Sequence, residues 1–127
     1  MRVLLAVLTA VIALLHLWFL TLEMFLWQRP LGLATFHQTA EQAAASASLA
    51  ANQGLYNGFL AAGLLWSFFI ADLRWSLRVR AFFLTCVLVA GVFGGLTAIR
   101  SILFIQALPA LIALLILLVV ARSPAAR

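Results

Sequence analysis

Long apolar runs and short polar interruptions set the pattern of this chain. Val3 to Trp27 is apolar except for Thr9, His16, Thr21 and Glu23. A polar, alanine-rich stretch over 28–51 follows, then a second apolar run from about Asn52 to Ala71. A short basic loop over 72–79 separates it from a nearly continuous apolar run, broken only near Arg100–Ser101. About 20 apolar residues cross the roughly 30 Å hydrocarbon core of a bilayer. The first two runs therefore predict one span each, at about 3–27 and 52–71. The last run is twice that length, and one straight helix would overshoot the membrane. It predicts two spans, about 80–99 and 101–121, joined by a tight turn. The pattern thus predicts an all-α integral membrane protein, a single domain over 1–127 built as a four-transmembrane-helix bundle. The first run exceeds the roughly 7–15 apolar residues of a cleaved signal and carries His and Glu, so it reads as a retained helix. The tail from Ala121 to Arg127 is polar and is expected to fray.

The 28–51 stretch has only Phe36 and Leu49 as bulky apolar residues between Leu33 and Leu55. Thr39 and Gln42 have the spacing of a capping box, which predicts a helix starting near Ala40. We read the stretch as a short outer-face helix or lid between the first and second spans.

Composition agrees with a bilayer as solvent. Of 127 residues, 67% are hydrophobic and 9% charged, and the mean hydropathy is +1.20. Soluble domains carry about a quarter charged residues. The net charge of +5 comes from arginines that flank the apolar runs. No basic face interleaves with aromatics, which argues against nucleic acid as a partner. With four spans, Arg2, Arg74, Arg78, Arg80, Arg122 and Arg127 lie on one side, and Arg29 and Arg100 on the other. The positive-inside rule then puts both termini and the 72–79 loop in the cytoplasm. The lone Cys86 allows neither an intrachain disulfide nor a cysteine-based metal site.

Polar residues inside the runs are the candidates for function, because intramembrane polar groups are costly and usually face inward. His16 and Glu23 are seven apart, about 20° in direction, and so share a helix face that Trp27 continues. Asn52, Gln53, Tyr56 and Asn57 cover about 140° of the second span's face. With alternating span direction they lie level with Glu23. Thr97 at the end of the third span and Arg100 and Gln106 at the start of the fourth reach the same level. A polar pocket in the outer half of the bundle is expected there. In it Glu23 and His16 handle protons, Arg100 pairs with Glu23 or counters negative charge, and Trp27, Asn52, Gln53, Tyr56, Asn57, Thr97 and Gln106 line the ligand. His16 and Glu23 stand about 10 Å apart along the axis, too far to share one ion. No metal site and no cofactor is expected. Gly54 and Gly58, and Gly91 and Gly95, form small-residue stripes that predict close contact between the second and third spans. Pro109 predicts a kink in the fourth span that leaves a carbonyl free.

The strings HLWFLTLEMFLW, NQGLYNGFLAAGL, AGVFGG and QALPALIAL together resemble a family of small four-helix bacterial membrane proteins, catalogued as domain of unknown function thirteen-oh-four. The resemblance runs from about His16 to Leu115. The family's hallmarks fall on His16, Glu23, Trp27, Asn52, Gln53, Gly54, Tyr56, Asn57, Gly91, Gly94, Gln106 and Pro109. The resemblance implies a four-helix protein of the bacterial cytoplasmic membrane and implies no reaction. From the residues, the leading expectation is binding of, or chemistry on, a small amphipathic molecule such as a lipid or quinone-like species. A proton-coupled exporter and a structural subunit of a membrane complex are the alternatives. The bilayer is the expected partner, and an oligomer is allowed but not required.

Overall fold

A computed structural model describes residues 1–123, and every regular element among them is helical. Helix α1 runs Arg2–Met24, α2 Pro30–Phe36, α3 Ala40–Trp66, α4 Leu73–Thr97 and α5 Leu108–Ala121, with a π-helical turn at Leu103–Ala107 leading into α5. Residues 124–127 of the polar tail lie outside the described residues.

Three segments are long and apolar enough to cross a membrane: Arg2–Met24, Leu73–Thr97 and the combined Leu103–Ala121. Their surfaces are those of helices in lipid. Val3, Phe93, Leu96 and Phe104 are each at least two-thirds exposed. Helix α3, the second expected span, is long enough at 27 residues. At about 1.5 Å per residue it measures about 40 Å. Its first four turns are too polar to read as a span.

The helix boundaries depart from those expected, for local reasons. The capping box forms as its spacing predicts. Thr39 Oγ1 accepts from Gln42 N at 3.2 Å, and Thr39 N donates to Gln42 Oε1 at 2.9 Å. The helix it starts does not stop as a separate lid; it continues unbroken to Trp66. The second helix therefore begins twelve residues before the apolar run at Asn52, because alanines carry a helix without needing an apolar face. The separate short helix is α2. Pro30 starts it, and His37, in the left-handed region at φ 51°, ends it through an N–H bond to Leu33 O. At the other end α3 closes by residue 66, and Asp72 caps α4 by accepting from Trp75 N at 2.8 Å. The segment expected as loop 72–79 is thus mostly the first two turns of α4.

The contacts divide the chain into two compact units, Leu14–Ala61 and Met1–Ala13 with Ala62–Arg127. In the first, α3 lies against α1 through its glycines. A Cβ on Gly54 would stand 2.6 Å from Met24 Cγ and 3.2 Å from Leu20 O, and one on Gly58 2.6 Å from Leu20 Cδ1. In the second, α4 packs on the π turn and α5. A Cβ on Gly91 would stand 2.7 Å from Ala107 N, and one on Gly95 would strike the Leu103 side chain. Opposite them Ala107, Ala110, Ala113, Leu117 and Val120 form one buried stripe.

The expectation that both glycine stripes join the second and third spans is therefore overturned. Each stripe meets the other neighbour of its helix: Gly54 and Gly58 face α1, and Gly91 and Gly95 face residues 103–107. A row of small residues marks the face that comes close, not which helix comes to it. Helices α3 and α4 do approach at Gly63, where an added Cβ would enter the Phe83 ring. Pro109 was expected to kink the fourth long segment; what the structure shows beside it is a π-helical turn at Leu103–Ala107. Without an N–H and with a ring that crowds the carbonyl four residues back, the proline follows a π turn in which Leu108 N reaches back to Leu103 O.

Candidate functional site

The polar groups of the Leu14–Ala61 unit gather where the end of α1 meets the middle of α3. Glu23 lies in the last turn of α1 and is half-buried. Its Oε2 accepts from Asn57 Nδ2 at 2.7 Å. Asn57 is only 7% exposed. The close helix approach at Gly54 and Gly58, one on each side of Asn57 in sequence, brings the amide within reach of the carboxylate. A larger residue at either place would push the pair apart. Glu23 was expected to pair with Arg100. Its partner is the neutral Asn57 instead, and Arg100 is an exposed turn residue of the other unit.

Four residues beyond Glu23, the Trp27 indole Nε1 donates to Ser46 Oγ at 3.2 Å, and Ser46 in turn donates to Gln42 O at 2.8 Å. Helix α2 folds against this tryptophan: Phe36 packs on its ring at 4.7 Å, and Gln38 Nε2 reaches Trp27 O at 3.5 Å. This approach needs Gly32, where a Cβ would collide with the carbonyls of Leu26 and Trp27. The contribution of Ser46 was not legible in the sequence. It sits in an alanine-rich stretch and looked like helix filler.

The remaining expected residues fall as follows. His16 is buried, two turns before Glu23, and its ring meets that of Phe19 at right angles with centroids 6.2 Å apart. Asn52, Gln53 and Tyr56 are exposed on α3, and Tyr56 meets Phe59 in an edge-to-face contact at 5.9 Å. Thr97 and Gln106 belong, with Arg100, to the other unit and form their hydrogen bonds within it. Thr97 Oγ1 donates to Phe93 O at 2.8 Å, and Gln106 Nε2 donates to Val87 O at 3.2 Å. Gln106 thus ties the π turn to α4 one turn from Gly91.

Proteins described as Protein of unknown function (DUF1304) match residues 10–118 of the chain. The chain belongs to this family. The match takes in every candidate site residue, from His16 to Gln106, and leaves out the first turns of α1, the end of α5 and the residues after it. Comparison with curated proteins and with solved structures returned no match in either. Membership in the family brings no assigned reaction with it.

What the Glu23–Asn57 arrangement can do follows from its donors and acceptors. The amide fixes one carboxyl oxygen, and no other side chain bonds to Glu23 among the described residues. A half-buried carboxyl with one oxygen held presents its second oxygen in a defined direction. It can accept from a hydroxyl or amine, or pass a proton to a carbonyl-type oxygen.

Proposed function

We propose that this DUF1304 member is a four-span protein of the bacterial cytoplasmic membrane with both termini in the cytoplasm, and that it binds a small amphipathic molecule at Glu23. Three of the spans rest on the apolar helices. Helix α3 is the fourth, supported by its length and by the apolar run that its second half contains. The orientation rests on the distribution of the arginines.

The observation that carries the binding reading is the Glu23–Asn57 bond, a carboxyl and an amide locked together at 2.7 Å between two helices otherwise dressed for lipid. A purely structural contact between these helices has no need of an ionisable group, since the glycines already bring them together. Asn52, Gln53 and Tyr56, exposed within five residues of Asn57, supply further donors and acceptors for a polar head. The apolar α3 residues beyond them supply a wall for a tail. Trp27, held by Ser46, closes the polar end. His16, two turns deeper on α1, is the second proton-handling group of the reading.

Native mass spectrometry of the full chain released from gentle detergent tests this. A retained amphipathic molecule is expected, and it should be lost from Glu23→Gln, Asn57→Leu or both. Wild-type protein that retains nothing, together with melting that no extracted lipid or quinone fraction alters, would refute the reading.

A further inference from the structure

The start of α4 holds a charge that no ion pair answers among the described residues. Arg80 is 7% exposed. Its Nε donates to Ser67 Oγ at 3.1 Å, and its guanidinium lies 4.5 Å from the centre of the Phe68 ring. It makes no other hydrogen bond or ion pair among the described residues. The chain has three acidic residues. Asp72 is the one in this unit; its Oδ1 caps α4 by accepting from Trp75 N, and it forms no ion pair with Arg80. A guanidinium held at its Nε and over one face by a neutral hydroxyl and an aromatic ring has its terminal nitrogens as the part still open, and an anion there would complete its set of partners.

The surroundings hold that guanidinium in place. Ser67 is fully buried, and its hydroxyl donates to Leu64 O at 2.6 Å, which leaves the oxygen as acceptor for Arg80. Ser76 Oγ donates to Ser67 O at 2.6 Å, tying the first turn of α4 to the same residue. With Nε engaged and one face on Phe68, both terminal nitrogens are left to a ligand. They form the fork that matches two oxygens of a phosphate or carboxylate. In the four-span reading this end of α4 lies toward the headgroups. Arg80 lies about 10 Å along α4 from Leu73. Trp75 is exposed with the Arg78 guanidinium 5.1 Å from its ring, and Phe69 is 84% exposed. Aromatic and arginine side chains together at a helix end mark the interface of a bilayer.

We propose that the α3–α4 turn is a binding site for a phosphate-bearing anion, gripped by the Arg80 guanidinium and assisted by the exposed Arg78. This site is separate from the Glu23 reading and stands whether or not that reading does. The anion is the headgroup phosphate of an anionic phospholipid or a free phosphate, and the experiment separates the two.

The full chain in neutral detergent is titrated with palmitoyl-oleoyl phosphatidylglycerol, with palmitoyl-oleoyl phosphatidylcholine and, separately, with inorganic phosphate. Retained lipid is counted by native mass spectrometry, and the melting temperature is followed. Wild type should retain phosphatidylglycerol over phosphatidylcholine, and Arg80→Gln should weaken that retention about tenfold or more, as expected for a lost charge-assisted bond. Arg80→Lys should recover part of it. Arg78→Gln should lower only the part that added salt also removes, since exposed charges are screened and buried ones much less so. A rise in melting temperature with inorganic phosphate, absent in Arg80→Gln, would identify free phosphate as the ligand. Should Arg80→Gln not fold, the wild-type melts decide: stabilisation by neither phosphatidylglycerol nor phosphate overturns the proposal. So does anion binding that Arg80→Gln leaves unchanged.

Discussion

Gly91 and Gly94 lie three residues apart on α4, and replacing each by alanine should change stability unequally, with only the Gly94 variant gaining. Both substitutions gain the same helix propensity, about 1 kcal/mol. They differ in what the new methyl meets. At Gly94 the nearest atoms are the Ile102 Cδ1 and Cγ2 at 3.4 Å, an ordinary contact with a flexible side chain. At Gly91 the methyl lands 2.7 Å from the backbone N of Ala107 and 3.0 Å from its Cα. Relief there requires α4 and the π turn to separate by several tenths of an ångström, and the Gln106–Val87 bond stretches with them. Such overpacking costs about 1–3 kcal/mol. Gly94→Ala should therefore stabilise by up to about 1 kcal/mol. Gly91→Ala should range from neutral to about 2 kcal/mol less stable than wild type. The propensity gain cancels in the difference between the variants, so that difference reads the contact alone, about 1–3 kcal/mol. Reversible unfolding in mixed detergent–SDS micelles measures it. Equal stabilities for the two alanine variants would refute the claim that the close face of α4 is turned toward Ala107.

Other outcomes follow from the same geometry. A double-mutant cycle of Glu23→Leu and Asn57→Leu, read by the same unfolding, should give a coupling of about 0.6–1.7 kcal/mol, and a coupling near zero would mean that the bond does not form. Gly32→Ala should detach α2 from the Leu26 and Trp27 carbonyls; increased amide exchange over 30–36 with α3 unaffected is the expected signature. Thr39→Ala should cost about 1 kcal/mol, confined to faster exchange in the first turn of α3. Glu41 sits in that exposed first turn, ahead of the apolar part of α3, and its carboxyl is held below its ordinary value by its own backbone N–H and then by Thr39. A lowered folded value means that its contribution is present above the usual carboxylate range and is lost as pH falls through the folded value. Exchange at the start of α3 should therefore quicken on acidification, and less so in Glu41→Gln.

Sequence reading worked best where the physics is local. Thr39 and Gln42 announced the start of α3 because a capping box involves only four consecutive residues. Pro109 marked where the fourth long segment is irregular, a π turn at Leu103–Ala107, because its ring acts on the residues just before it. Reading failed where hydropathy stood in for helix geometry. Hydropathy reports where an apolar run begins, and Asn52 marks that change, yet the backbone is already helical from Ala40. The same substitution hid Asp72, whose capping role makes the basic segment after it helical. Partnership was the least legible property. The glycines showed which faces close up, but Gly54 meeting Leu20, and Gly91 meeting Ala107, depend on the whole arrangement of helices. Glu23 drew attention because a carboxylate in an apolar run is rare, whereas Arg80, one of three arginines within seven residues, passed for a loop charge. Its burial comes from the Ser67–Ser76 contact, which no short-range pattern signals.

The two bonds between α3 and the end of α1 have a mechanical consequence. A rod fastened at one point can pivot; fastened at two it keeps its angle. Asn57 and Ser46 are the fastenings on α3, eleven residues or about 16 Å apart along the rod. One clamps a carboxylate and the other an indole. A guest that draws Glu23 away from Asn57 undoes one bolt and leaves the other in place. Gly54 and Gly58, seated on Leu20 and Met24, still hold the rod against α1, so the release stays local to the carboxylate.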